Sequence, residues 1–262
     1  MSWFPRSLPS AVLALALVGT GRGDERWAHH AVAGPVDQLE VAGNACGPAA
    51  LLASFRCGSE PWRIAPERIP GDSDRLKLLY IIRAHGLRPS ASLRDRKRWS
   101  SDGINLEDLA DVAAELAAIG GRPAPRVEHL LREDRESPGR HLDRLHDRIR
   151  DSLKAGFPPV VSLRRHVLRK GTWTPLEGHY VSIVMVPEKL PRRARSFDFI
   201  YFDPWGGRKC RGTFRIADRP ILAAKGKQSP FLEALVPEAR IGRSKLRAGE
   251  TSVVVPSAMI RR

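Results

Sequence analysis

The hydrophobic period of this chain changes once, at Gly156, and that change limits the folds open to it. Before Gly156 the apolar residues recur at helical spacing. Leu142, Leu145, Ile149 and Leu153 form one stripe over residues 139–154, with arginine and aspartate opposite. Leu76, Leu79, Tyr80 and Ile82 predict a helix over 72–85 that Gly86 stops. Asn105, with Asp108 three residues on, opens another over 105–119 that Gly120-Gly121 closes. After Gly156 come β-branched and aromatic runs at 159–163, 179–186, 197–203 and 212–216, with intervals short enough for antiparallel pairing. Helices first and strands after is an α+β pattern. Residues 88–103 and 122–139 read as polar loops. Beyond Ala217, apolar stretches at 220–224, 230–236 and 252–255 add a helix and an edge strand or wrap the surface.

Three places in this pattern carry chemistry. Cys46, in Gly43-Asn44-Ala45-Cys46-Gly47-Pro48-Ala49-Ala50-Leu51, sits on the first turn of an apolar helix over 46–56. Unpaired backbone N–H groups and the positive end of the helix dipole favour a thiolate there. His179 follows Gly178 and opens the buried strand over 179–186. Asp203 ends the strand over 197–203, in which Phe197, Phe199 and Tyr201 share one face, and leads into Pro204-Trp205-Gly206-Gly207. Nucleophile, base and orienting acid are the parts of a thiol-hydrolase triad. Each has a plainer alternative: a packed cysteine, a structural histidine, a turn-capping aspartate. His166 competes with His179 as base, but Arg164, Arg165, Arg169 and Lys170 surround it in a loop-like stretch that disfavours another positive charge. Asp198 is the weaker alternative to Asp203.

Taken in order, Asn44-Ala45-Cys46-Gly47-Pro48-Ala49-Ala50-Leu51, Gly156-Phe157-Pro158-Pro159-Val160-Val161-Ser162-Leu163, Gly178-His179-Tyr180-Val181 and Phe202-Asp203-Pro204 resemble the papain-like cysteine peptidases. The branch is the C39-like one, related to bacteriocin-processing peptidases. These pieces lie between about residues 38 and 217, roughly two thirds of the chain. The resemblance implies a papain-like two-lobed fold, an N-terminal helical lobe whose central Cys46-bearing helix packs on an antiparallel sheet. It also implies a Cys46–His179–Asp203 triad needing no cofactor and no metal. One departure stands out. Enzymes of this type place an oxyanion-stabilising glutamine where this chain has Glu40. Gln38 serves only if the loop bulges, Asn44 is closer, and losing such a donor typically costs about 10²–10³ in rate.

A chain of 262 residues accommodates one sizeable domain. Residues 1–22 read as a secretory signal: a short positive region ending at Arg6, an apolar run at 11–18, then Gly19-Thr20-Gly21. Eight strongly apolar residues do not span a bilayer, which needs about twenty. The remainder, 23–262, is then a single exported domain, secreted or periplasmic, with no integral membrane association. In an oxidising compartment Cys57 and Cys210 are left to form a disulfide, or Cys57 simply packs in the core. No cysteine pair has zinc-ligand spacing.

The net charge of +15 draws the protein toward acidic peptides, anionic cell-envelope polymers or other anionic surfaces. No zinc-finger spacing or aromatic-basic signature points to specific nucleic-acid binding. The sequence therefore leaves three readings open: an exported cysteine peptidase or amidase acting on a peptide or amide substrate, a transpeptidase or transamidase using the same site, and a non-catalytic peptidase-like module that holds an anionic partner.

Overall fold

The computed structural model describes residues 27–30, 33–133, 135–218, 221 and 232–262, so the signal-like segment 1–22 lies outside the described residues. Among the described residues there are five α-helices: α1 (Cys46–Cys57), α2 (Glu60–Arg68), α3 (Asp74–Ile81), α4 (Leu106–Ile119) and α5 (Pro138–Lys154). The strands are β1 (Trp27–His29), β2 (Trp99–Ser100), β3 (Gly103–Ile104), β4 (Arg126–His129), β5 (Val160–Arg169), β6 (Thr172–Pro187), β7 (Ser196–Asp203), β8 (Arg208–Ile216), β9 (Leu232–Leu235) and β10 (Ser252–Arg261). Apart from the small β2–β3 ribbon they form one antiparallel sheet in the order β4-β10-β5-β6-β7-β8-β9, with β1 continuing along β6 beyond the start of β5. The α+β expectation holds.

Strand alternation divides this sheet between two cores. Val160, Tyr180, Val184, Phe202 and Ile260 face a layer built from α1 to α4. Their neighbours Val161, Val181, Ile183, Tyr201 and Met259 face α5, whose stripe of Leu142, Leu145, Ile149 and Leu153 is fully buried against them. Helix α1 is apolar all round, and ten of its twelve residues are buried, as a helix without a polar face must be. Ser182 Oγ donates to Ala50 O at 2.7 Å and fixes α1 on β6. Burying Leu51, Leu52 and Phe55 contributes about 1.5–3 kcal/mol each.

The helix starts obey local rules. Asn105 accepts the Asp108 N–H at 2.7 Å, and Ser137 accepts that of Arg140 at 3.2 Å just before Pro138. The expected helix over 72–85 is shorter: α3 ends at Ile81, and a wide π-type turn carries the chain through Gly86. Helix α2 was hidden from periodicity by Pro61 and Pro66. Its anchor is Trp62, whose ring lies 4.6 Å from Phe157 and 5.8 Å from Phe55.

Three readings of the second half need correction. Residues 164–170 are not a loop: β5 and β6 continue as a hairpin closed by Lys170 and Gly171 at φ of +48° and +75°, and His166 is a strand residue. The tail does supply an edge strand, β9, but its last apolar stretch is not one: β10 sits inside the sheet between β4 and β5. Cys57 and Cys210 are both free thiols. They pack in different cores with the sheet between them, and the Cys57 thiol donates to Ala33 O at 3.1 Å.

Candidate active site

Helix α1 begins at Ala45 with no capping side chain, so its first turn presents backbone N–H groups beside Cys46. Gly47 makes the placement possible. A Cβ on it would lie 2.5 Å from Ile104 Cγ2 and 3.3 Å from Tyr180, so a larger residue would push the helix start away from the sheet. Tyr180 precedes the Ser182 tie on the same strand face, which sets His179 at the level of Cys46. His179 Nε2 is 2.8 Å from Asp203 Oδ1, which leaves Nδ1 as the ring nitrogen available to the Cys46 thiol.

Asp203 is wholly buried at the end of β7. The turn that follows closes back on it: the Trp205 N–H donates to Oδ1 at 2.9 Å, and Arg208 Nη2 donates to Oδ2 at 3.0 Å. Gly206 and Gly207 take φ of +79° and +56°, which keeps this return tight. Both oxygens of the carboxylate are thus engaged, Oδ1 by His179 and the Trp205 N–H and Oδ2 by Arg208.

Burial by itself pushes the Cys46 thiol up. It is outweighed by the His179 hydrogen bond and charge and by the Tyr180 and Gly47 backbone N–H groups, so the thiol ends below its ordinary range. For His179 burial acts downward, and the bonds to Asp203 and Cys46 overcome it, raising the imidazole to about 10. Asp203 would be raised by burial, but His179, Trp205 and Arg208 hold it below the usual carboxylate range. The three directions agree on one charge state, thiolate–imidazolium–carboxylate.

The two candidate oxyanion donors are already engaged. Gln38 is buried on a single 3₁₀ turn (Gln38–Glu40), its Nε2 donates to Gly43 O, and its Oε1 has no partner among the described residues. Asn44 lines the cleft, but its Nδ2 donates to Ser100 O at 2.7 Å. Glu40 is exposed. The loop bearing Gln38 nevertheless touches the triad's support: the Gln38 N–H donates to Pro204 O at 2.9 Å, and Asp37 Oδ1 accepts the Gly206 N–H at 3.0 Å.

Cys46 and His179 lie on a cleft of about 1000 Å³, between the 93–107 segment on one side and the turn at 240–245 on the other. Trp205 lines it beside Gly43. The rivals lie elsewhere. His166 is on β5 and its imidazole is pushed down by burial and then by Arg164, while Asp198 is paired with Arg211 and Thr213. Sequence reasoning missed Arg208, five residues after Asp203, because the hairpin linking β7 to β8 was not read as a two-sided clasp. Among the described residues no cluster of three or more His, Cys, Asp or Glu stands ready to hold a metal, and no helix is long and apolar enough to cross a membrane. No protein-family model, curated protein or solved structure matches this chain.

Proposed function

We propose that this chain is an exported cysteine peptidase or amidase of papain-like, C39-like type, hydrolysing a peptide or amide bond through Cys46, His179 and Asp203. The observation that carries the reading is buried His179 held by Asp203 at 2.8 Å and interacting with Cys46 on one cleft. The Cys46 thiolate attacks the carbonyl carbon, and charge moves to the carbonyl oxygen beside the first N–H groups of α1. His179 Nδ1 gives its proton to the departing amine as the C–N bond breaks, leaving an acyl-thioester on Cys46. The imidazole then takes a proton from water as the water oxygen attacks the thioester, and returns it to the sulfur side as the acid leaves. Asp203 holds the ring in one tautomer and stabilises its cation throughout.

Alkylation by iodoacetamide, with the adduct located by mass spectrometry, tests the pair. Cys46 labels selectively, and fast at a pH where ordinary thiols are slow, and His179→Ala removes that speed. A quenched-peptide library screened with Cys46→Ala as the blank tests turnover. The engagement of Gln38 and Asn44 by Gly43 O and Ser100 O favours a second reading, a peptidase-like module without turnover. Fast Cys46 labelling with no hydrolysis or amine transfer across the library would select it.

A further inference from the structure

The geometry points to a cationic subsite made by Arg164, Arg240 and Arg243 at the leaving-amine end of the cleft, where it binds a carboxylate of an acidic peptide or amide substrate. This rests on the hydrolase reading above and adds the substrate class to it.

All three arginines are exposed and line the cleft, and among the described residues none forms an ion pair with a carboxylate. Each is placed by a neighbour of the triad. Arg164 stands across from Gly178 in the β5–β6 ladder, its Nε 4.0 Å from where a Cβ on Gly178 would lie. Arg240 rests over the Trp205 ring with its guanidinium carbon 5.0 Å from the centroid, and the Trp205 N–H is bonded to Asp203. Arg243 belongs to the same turn as Arg240. That turn is held against the strand ahead of His179 by buried Arg165, which donates to Ile241 O and to Ser252 Oγ. Gly242 completes the seat: at φ of +65°, its missing Cβ would be 3.0 Å from that of Glu177. Glu177, the acidic residue lining this side, is already paired with Lys245 at 2.8 Å.

Orientation follows from the chemistry. His179 must protonate the departing amine, so the amine portion of the substrate lies on the His179 side and the acyl portion on the other. The arginines surround the His179–Asp203 end, so the charge they recognise belongs to the departing amine portion. Guanidinium groups match a carboxylate with paired N–H donors.

Two alkylating reagents of nearly equal size read this field without a known substrate. Iodoacetate carries a carboxylate and iodoacetamide does not, so the ratio of their rates at Cys46 cancels any change in thiol reactivity. Combined Arg164→Gln, Arg240→Gln and Arg243→Gln substitutions lower that ratio by about three- to tenfold at low salt, and added salt shrinks the difference. The lysine versions retain most of it. Replacing Arg83, Arg192 and Arg247, all exposed and outside the cleft, removes the same net charge and leaves the ratio within about twofold. An equal drop in that control, or no drop in the cleft variant, overturns the subsite while the hydrolase reading stands. Failure of iodoacetamide itself to label Cys46 selectively overturns the hydrolase reading and this inference with it. On quenched peptides, glutamate after the cleaved bond is preferred over glutamine by about tenfold, and the cleft variant loses that preference. Equal turnover of the two peptides counts against the subsite. Protection of Cys46 by an oligonucleotide but not by polyglutamate would reassign the cluster to nucleic acid.

Discussion

Two buried histidines in this molecule are held in nearly the same way and face different chemistry. His179 bonds Asp203, and Arg208 braces the far carboxylate oxygen. His85, on the wide turn after α3, has its Nδ1 2.6 Å from Glu115 Oε2, and Arg98 and Arg88 brace Glu115 Oε1 at 2.8 and 2.9 Å. Burial would raise Glu115, and Arg98 and His85 together hold it down, as His179 and Arg208 do for Asp203. The second ring nitrogen separates them. At His85 the buried Nε2 has no partner among the described residues, whereas at His179 the other nitrogen is available to a thiol at a helix start. The same histidine–carboxylate–arginine clasp thus occurs twice in this fold, and what sets the His179 copy apart is that α1 delivers Cys46 beside it.

The widest separation comes from deleting each ring. His179→Ala leaves burial opposed only by backbone N–H groups, so the Cys46 thiol rises and its iodoacetamide labelling at neutral pH slows by about 10²-fold or more. His85→Ala leaves that rate within about twofold and appears instead as about 1–3 kcal/mol of lost stability in urea unfolding, because Glu115 loses a buried partner. Comparable slowing in the two variants would erase the distinction.

Neutralising the acids gives the next effect. Asp203→Asn keeps an acceptor for the Nε2 proton but removes the anion that holds His179 protonated, so turnover falls. Glu115→Gln does not change turnover. The pH profile carries the sign. The raised imidazole contributes stability that is complete below its ordinary value and is lost as pH rises through about 10, while the lowered thiol is ionised above its shifted value. Wild-type labelling thus climbs early and changes again near 10, and Asp203→Asn brings the upper limb down. An upper limb unmoved by Asp203→Asn would mean that His179 owes its charge to something else.

The three cysteines sharpen the contrast at smaller cost. Burial pushes Cys57 up and Cys210 to about 11; the Cys57 thiol donates to Ala33 O, and the nearby His30 ring bonds the Cys57 carbonyl oxygen rather than its sulfur. Brief alkylation at neutral pH gives a single adduct on Cys46. A reductant leaves the melting temperature unchanged, since no disulfide links Cys57 to Cys210. A drop in melting temperature on reduction would contradict the separation of the two cores.

What the sequence could reveal follows range of interaction. Period and capping residues gave α4 and α5 to within a residue or two, and the β-branched runs located β6 and β7 with His179 and Asp203 on them, because those signals are local. Helix α2 escaped because its two prolines mask a short helix that Trp62 holds by tertiary packing. The interior place of β10, the extension of β5 through Arg169, and the split of Cys57 from Cys210 depend on long-range pairing that no local period encodes. The arginines around the cleft are not legible as a cluster for the same reason: Arg164 and Arg240 are far apart in sequence and line one cleft only through β5 and the Arg165-bound turn.

The smallest effect concerns Gln38, and it separates two kinds of rate. Its amide N–H is spent on Gly43 O, three residues before Cys46, so the side chain ties down the loop that leads into α1. Gln38→Ala costs about 1–2 kcal/mol of stability through that lost bond. Hydrolysis and iodoacetamide labelling then decline together, by less than about threefold. The comparison is informative because alkylation displaces iodide from a saturated carbon and forms no oxyanion, whereas amide hydrolysis does. If Gln38 released Gly43 to bind the oxyanion during turnover, hydrolysis alone would drop by about 10²–10³ while labelling held steady. A parallel, shallow decline in both rates assigns oxyanion binding to the backbone at the start of α1.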